Sequence, residues 1–311
     1  MSAGNTNKIA FIIPYFGKLP NFFNLFISSV SDKRFDVFFF SDLAKPNNLP
    51  VNVKWIPLSF DEAKAKFNEK IGSGVTLKNT YKLCDLKPTL GLVFQEYIAQ
   101  YEFWGSIDID LVVGDFEKFI TPEILKDIDF YSGVKGYVSG SMFIVRNNDY
   151  CNNLFRKSKD YIKAFANEHY LGFDECGGKF FKQLAAGESI FDLKTDIQSF
   201  TEILFLEKQH GLKILFTDTI LEPKGFEYVE IRKNGIYYKN NEYLIIHFIY
   251  LKTKYYFNIY PNIHLPTYFI NSLGNFNKAL PKFRVVFSRN FAHAVKRKIE
   301  INLRKIKISM L

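Results

Sequence analysis

The amino-acid sequence predicts an α/β fold in which a mainly parallel sheet is covered by helices on both faces. Short apolar runs that end in turn residues alternate with segments of helical spacing, and this alternation is typical of such folds. The runs are apolar throughout, as expected of strands that are buried on both faces. With 311 residues, 47 % of them apolar, the chain is long enough to bury a large core.

The individual elements can be placed along the chain. The sequence predicts strands over 8–16, 36–40, 53–58, 104–113, 129–134 and 140–145, helices over 21–30, 87–101 and 149–166, and a late hairpin of 228–238 with 242–249 around Asn240-Asn241. Pro88 falls in the first turn of the second helix, where proline is tolerated. Ligands bind beyond the carboxyl ends of parallel strands. We therefore expect Phe16, Gly17 and Asp42, which follow the first two strands, to contact a ligand.

The positive charge of the chain is concentrated at its end. Residues 283–311 contain eight Lys or Arg and one Glu, a net charge of +7 out of the total of +9, so the body is only about +2 and need not bind a polyanion such as nucleic acid. Apolar residues in this tail recur every three or four positions: Phe287, Phe291, Val295, Ile299, Leu303, Ile306 and Met310. We therefore predict a domain over 1–280 and an amphipathic helix within 281–311 that lies on an anionic membrane. The alternative is a helix that packs on the domain or on another copy of the chain.

Cysteine usage and the missing motifs narrow the class of protein. The three cysteines are widely spaced and form no CxxC pair, which favours a reduced, cytoplasmic protein. The polar N-terminus lacks a signal-peptide core, and no apolar run approaches the ~18 residues of a spanning helix. The sequence contains no G-x-S-x-G, P-loop or G-x-G-x-x-G pattern, which disfavours hydrolase, kinase and dinucleotide-binding functions.

The most informative segment is WGSIDIDLVVGD, over 104–115. In a strand, alternate side chains share a face, so Asp108 and Asp110 are predicted to point the same way. Two such carboxylates raise each other's pKa unless a cation lies between them. Oxygen ligands suit Mg²⁺ or Mn²⁺, and either ion can hold a diphosphate. The alternative is a polar strand face at a sheet edge.

The runs YKLCDLKPTLGLVF and YEFWGSIDIDLVVGDF resemble bacterial capsule and lipopolysaccharide glycosyltransferases of the GT-A fold with a DxD motif. The resemblance implies a GT-A-like, Rossmann-like domain that takes a sugar from a nucleotide diphosphate. It further implies that Asp110 ligates the metal and that Asp108 contacts the ribose and, through water, the metal. Asp85 and Lys87 would contact the donor sugar or diphosphate, although they stand one position closer together than in the relatives, with Lys in place of Arg. Their alternative roles are a helix N-cap and a solvated first-turn residue.

Two later segments supply further candidate residues. His247 lies in the apolar run EYLIIHFIYLK and is either a core residue or, as the resemblance implies, a metal ligand followed by Lys252 for the leaving phosphate. Asp174 and Glu175 stand among glycines in GFDECGG, where either carboxylate is a candidate base for an acceptor hydroxyl. Their alternative is a solvated acidic loop.

Together these observations predict an enzyme that moves a sugar from a nucleotide diphosphate to a hydroxyl of a surface glycan or lipid-linked acceptor, and the resemblance implies that the donor is a UDP-sugar. The predicted location is the cytoplasmic face of the cell membrane. Two alternatives remain open: a metal-dependent phosphodiesterase or nucleotidyltransferase, and a non-enzymatic protein that binds a membrane surface.

Overall fold

The computed structural model describes residues 8–31, 33–72, 74–225, 227–232, 235–254, 267–271 and 274–276. They form two compact units. Unit 1 consists of the described parts of Met1–Lys18, Ser31–Asp108 and Ile120–Asp218, and unit 2 of those of Leu19–Val30, Ile109–Phe119 and Thr219–Leu311. The predicted boundary at residue 280 and the amphipathic tail lie outside the described residues and stay predictions. Among the helices of the described ranges, none combines the length and hydropathy needed to cross a bilayer.

Within these described ranges the chain forms fifteen strands, in chain order β1 (Ile9–Pro14), β2 (Phe35–Ser41), β3 (Val53–Pro57), β4 (Phe103–Ile107), β5 (Leu111–Val113), β6 (Phe130–Ser132), β7 (Met142–Arg146), β8 (Ile214–Phe216), β9 (Ile220–Leu221), β10 (Val229–Arg232), β11 (Gly235–Tyr238), β12 (Asn241–Tyr243), β13 (Ile245–His247), β14 (Thr267–Asn271) and β15 (Gly274–Phe276). The α-helices of the described residues are α1 (Phe23–Val30), α2 (Phe60–Ile71), α3 (Leu90–Val93), α4 (Gln95–Ile98), α5 (Phe116–Phe119), α6 (Pro122–Asp127), α7 (Asp149–Asn152), α8 (Tyr161–Ala166), α9 (Phe181–Ala185) and α10 (Phe200–Gln209). The same part of the chain contains 3₁₀ segments over Thr80–Thr89, Leu154–Lys157 and Ile190–Asp192.

Unit 1 is built on a seven-stranded sheet with the order β3-β2-β1-β4-β7-β6-β8. Every strand runs in the same direction except β7, which pairs antiparallel with both β4 and β6. The strands carry the apolar runs seen in the sequence, and β1 is buried along all but its last residue. The predicted α/β fold with a mainly parallel sheet is therefore confirmed.

The core of unit 1 lies between this sheet and its helices. Phe40 of β2 stacks on Phe94, with ring centroids 4.2 Å apart. A Cβ at Gly91 would lie 2.2 Å from the indole Nε1 of Trp104, so only glycine leaves room for that ring. Helix α2, which the sequence analysis did not assign, begins at a Ser59–Glu62 capping box, a recognisable sequence signal.

Two helices that were predicted to be continuous are interrupted in the structure. The segment 87–101 is the end of a 3₁₀ turn followed by α3 and α4, because Pro88 has no N–H and disfavours the helical conformation of the residue before it. The segment 149–166 is divided into α7, a 3₁₀ turn and α8. At that break, Ser158 donates to the Gln198 carbonyl and Asp160 accepts from the Gln198 N–H, so polar side chains bond to the backbone of another segment instead of continuing the helix.

The predicted strand over 104–113 is also wrong. Strand β4 ends at Ile107, and residues 108–110 form a bend before β5, which belongs to unit 2. The backbone shows why the strand stops: the Asp108 N–H donates to the Ser141 carbonyl, while the Asp110 carbonyl accepts from the Phe248 N–H. Asp108 and Asp110 therefore do not share a strand face, and the alternation argument for their common direction fails.

Unit 2 contains a three-stranded sheet, β5-β13-β9, and a five-stranded sheet, β12-β11-β10-β14-β15. The predicted late hairpin is present as β11 and β12. It turns at Lys239 and Asn240, one position before the predicted Asn240-Asn241, and both turn residues have positive φ, as a type I′ turn requires. Its predicted strands are too long, since 228–238 contains β10 and β11, and 242–249 contains parts of β12 and all of β13. Helix α1 confirms the helix predicted over 21–30, and the Ser29 hydroxyl accepts from the Val113 N–H of β5.

Candidate metal and substrate site

The carboxyl ends of β1, β2 and β4 meet at one edge of the unit 1 sheet. Gly17, Asp42 and Asp108 follow these three strands, and because the strands are parallel they lie at the same edge. Gly17 has a φ of +108° and open space around its Cα, and Asp42 is exposed. The side chain of Phe16 is buried in the core against Phe60. Contact of these residues with a donor stays a prediction.

The three predicted metal ligands are brought together. His247, the last residue of β13, lies opposite Leu111, and its Nε2 is 3.4 Å from Asp110 Oδ2. Both side chains are buried, with 6 % exposure for His247 and 9 % for Asp110. Asp108 is separated from Asp110 by one residue, and one ligand atom from each of the three residues lies within 4.8 Å of the others. Within the described residues this is the one group of three or more such side chains that could hold a metal ion.

The geometry of this cluster fits a divalent cation. Ligands about 2.1 Å from a shared ion in an octahedral arrangement lie about 3 Å apart, and the Asp110–His247 separation is close to that value. Carboxylate oxygen and imidazole nitrogen are both ligands for Mn²⁺. A polar strand face at a sheet edge does not describe Asp110, because that side chain is buried.

Two further side chains contact this pair. Lys252 Nζ is 2.5 Å from Asp110 Oδ2, and His247 Nδ1 is 2.9 Å from Glu222 Oε1. Glu222 was not among the residues predicted from the sequence. It directly follows β9, whose Leu221 pairs with Ile246 beside His247, but a two-residue strand gives no readable sequence pattern.

The electrostatics of Asp110 are set by the basic side chains around it. Burial by itself would raise the pKa of Asp110, but hydrogen bonding and charge from His247, together with the charge of Lys252, outweigh it and hold that pKa below its usual range. The positive charge beside Asp110 therefore outweighs the repulsion that a second carboxylate would cause in the absence of a cation.

Lys87 is not a solvated first-turn residue. Its Nζ donates to Asp108 Oδ1 at 2.7 Å and to the Gly140 carbonyl at 2.6 Å, and its side chain is 12 % exposed. Burial by itself would lower the pKa of Lys87, but the negative charge of Asp108 raises it above its usual range. Lys87 therefore stays cationic and fixes the orientation of the Asp108 carboxylate.

Asp85 is not a helix N-cap, since Asn79 caps the 3₁₀ segment that contains it. The Asp85 side chain is fully buried, pairs with Lys82 at 2.6 Å, and accepts from the backbone N–H groups of Leu171 and Phe173. These bonds anchor the loop that leads to residue 174. Contact of Asp85 with the donor stays a prediction.

Asp174 and Glu175 form a largely enclosed carboxyl pair in unit 1. The Tyr170 hydroxyl lies 3.1 Å from Asp174 Oδ1 and 3.2 Å from Glu175 Oε2, and the Gly140 N–H donates to Glu175 Oε1 at 3.0 Å. Burial, followed by the charge of Glu175, raises the pKa of Asp174, and burial raises that of Glu175. The alternative of a solvated acidic loop is wrong, because Asp174 is only 1 % exposed. A carboxyl with a raised pKa is suited to proton transfer near neutral pH.

The fold and the site define an α/β protein with a mainly parallel sheet and an Asp–His cluster that fits a divalent cation. The chain belongs to the family described as "Family of unknown function (DUF6625)", whose model matches residues 11–277. No curated protein matches it in sequence. Among solved structures, it is similar to the galactosyltransferase LgtC in complex with donor and acceptor sugar analogs, with 10 % identity and a TM-score of 0.38 over 69 % of this chain and 76 % of that chain. A similarity of this size does not assign an activity to this chain.

Proposed function

We propose that this protein is a metal-dependent glycosyltransferase that moves a sugar from a nucleotide diphosphate, with UDP as the expected nucleotide, to an acceptor hydroxyl. The observation that carries the proposal is the cluster of Asp108, Asp110 and His247. It falls in the segment whose sequence resembles glycosyltransferases with a DxD motif, and it joins that motif to a histidine more than 130 positions later in the sequence.

Asp110 and His247 would hold the ion, with Asp108 beside them. A bound Mn²⁺ or Mg²⁺ neutralises charge on a diphosphate that develops as the glycosidic bond to the sugar breaks. The Nζ of Lys252 pairs with Asp110, which places its positive charge beside the proposed metal site. We assign it to the departing phosphate, whose negative charge it would stabilise.

Residues of unit 1 would bind the donor and prepare the acceptor. Lys87 holds Asp108 through the 2.7 Å contact, which would orient that carboxylate toward the ribose. Either Asp174 or Glu175 would take the proton of the acceptor hydroxyl, and the raised pKa of each favours proton uptake. The acceptor class is a glycan or a lipid-linked glycan.

The proposal is tested by incubating the full chain with several UDP-sugars, Mn²⁺ and candidate glycan acceptors. Release of UDP with glycosylated product, lost on chelation with EDTA, is the expected result. Release of UMP instead would indicate the alternative phosphodiesterase or nucleotidyltransferase chemistry. If the folded protein releases neither UDP nor UMP from any donor, both enzymatic functions are contradicted.

We further propose that the basic tail, residues 281–311, places the enzyme on the cytoplasmic face of the cell membrane. Support comes from the sequence alone: a net charge of +7 over 283–311 beside a helical apolar stripe. The full chain should bind liposomes that contain anionic lipid and release them as salt rises. A chain ending at Pro281 should not bind. If the full chain ignores such liposomes at low salt, the tail is a packing or assembly element.

A further inference from the structure

One line of polar contacts in unit 2 extends beyond the predicted ligands. Glu222 Oε1 lies 2.9 Å from His247 Nδ1, and on the other side of the ring His247 Nε2 lies 3.4 Å from Asp110 Oδ2. The imidazole is therefore held between two carboxylates. Asp110 belongs to the candidate metal centre, whereas Glu222 contacts the ring on the side away from it.

The chemistry of these atoms fixes which nitrogen is available. An ionised carboxylate only accepts hydrogen bonds, so the contact with Glu222 requires the proton on Nδ1 of His247. With a proton held on Nδ1, Nε2 is the atom that a metal ion would bind, and in the metal-free protein the same atom faces Asp110 and acts as the donor to it. A metal-ligating histidine is commonly oriented in this way by a carboxylate on its second nitrogen, which also makes the ring a stronger donor.

We propose that Glu222 is a positioning residue that sets the tautomer and the orientation of His247 for metal binding through Nε2. This inference rests on the proposed metal-dependent function. The backbone supports the arrangement, because β9 pairs parallel with β13 and delivers Glu222 next to the ring. The Glu222 side chain is 35 % exposed while His247 is 6 % exposed, so the carboxylate reaches the buried ring from the solvent side and stays partly hydrated.

The partial exposure of Glu222 separates a positioning role from a structural one. Removing a buried charge partner would destabilise the fold, whereas removing a partly solvated carboxylate from the surface costs little stability. Metal affinity, in contrast, should fall 10- to 100-fold, the usual effect of losing such a partner. Glu222→Gln keeps an oxygen that accepts from Nδ1 but loses the charge, so its loss of affinity should be smaller than that of Glu222→Ala.

The experiment is a calorimetric titration of the full chain with Mn²⁺ for wild type, Glu222→Gln and Glu222→Ala. Glu230→Ala is the matched control, because Glu230 lies in the same unit and pairs with Arg232 instead. Melting temperatures are measured without metal. A second readout is the ¹⁵N NMR spectrum of the metal-free, histidine-labelled protein, with the His247 signals assigned through His247→Gln.

We expect the affinity for Mn²⁺ to fall in the order wild type, Glu222→Gln, Glu222→Ala, with unchanged melting temperatures. We also expect an NMR signal from the Nδ1 proton of His247 that is lost in Glu222→Ala. Equal Mn²⁺ affinity in wild type and Glu222→Ala would overturn the inference while the proposed function stands. If wild type binds no Mn²⁺, the metal-dependent function fails as well. If Glu230→Ala loses as much Mn²⁺ affinity as Glu222→Ala, the positioning role is also overturned.

Discussion

Glycine at position 140 is required by the carboxyl pair that packs against it. A Cβ at this position would lie 2.8 Å from Asp174 Oδ2 and 2.9 Å from Glu175 Oε1, closer than real Cβ atoms approach other atoms. Asp174 is buried and cannot retreat into solvent. Gly140→Ala must therefore displace the carboxylates or the turn itself, and either movement weakens the 3.0 Å bond from the Gly140 N–H to Glu175.

The magnitude follows from these two losses. Overpacking in a closed site costs about 1–3 kcal/mol, and a hydrogen bond to a charged group contributes about 1.5–3 kcal/mol. Because both losses relax together, we expect Gly140→Ala to lower the free energy of unfolding of unit 1 by about 2–4 kcal/mol. In a Glu175→Ala background the same change should cost at least about 1 kcal/mol less, since one clash and the hydrogen-bond acceptor are already absent.

The assay is urea denaturation followed by tryptophan fluorescence, because both tryptophans of the chain, Trp55 and Trp104, lie in unit 1. Far-UV circular dichroism reports the whole chain. Gly225→Ala is the control, since a Cβ there meets no atom within 4 Å, and it should change stability by less than about 0.5 kcal/mol. If Gly140→Ala unfolds at the same urea concentration as Gly225→Ala, the proposed crowding around the carboxyl pair is refuted.

Three other predictions test the site and its electrostatics. Asp110→Asn should weaken Mn²⁺ binding in calorimetry and lower the rate of sugar transfer more than tenfold, which is a barrier increase above about 1.4 kcal/mol. The control Asp115→Asn should change neither quantity. Retained activity in Asp110→Asn would show that Asp110 is not part of the metal site. The pKa of Asp174 is raised on folding, so its stabilising contribution is complete below the unfolded pKa of about 3.9 and is lost as pH rises through the folded pKa. Asp174→Asn should therefore flatten the fall of the urea midpoint with rising pH. An unchanged slope would contradict this prediction. Burial raises the pKa of Cys84 to about 12, so iodoacetamide at pH 8 should alkylate it, as followed by mass spectrometry, far more slowly in the native protein than in urea, and equal rates would show an accessible thiolate.

Where sequence reasoning was wrong, the cause was pairing between distant segments. The run 104–113 is apolar enough to continue as one strand. It is divided because β4 pairs with β7, whereas β5 pairs with β13. In the helix predicted over 87–101, Pro88 already disfavoured a continuous α-helix. The loop with Asp174 and Glu175 has a polar, glycine-rich sequence typical of exposed turns, and only the contacts with Tyr170 and Gly140 show that it is enclosed.

The sequence by itself determined the α/β class, the first strands and helix and the presence of a late hairpin, and it offered Asp108, Asp110 and, by resemblance, His247 as candidate metal ligands. These features depend on local periodicity, on turn chemistry and on the types of ligand atom, all of which are written in short stretches of chain. The tertiary structure alone decided that His247 reaches Asp110, that Glu222 lies behind the imidazole, and that Lys252 pairs with the same carboxylate. Pairing of β13 with β5 and β9 brings His247 to Asp110 and Glu222. Which strands pair depends on the packing of the whole unit rather than on any one segment.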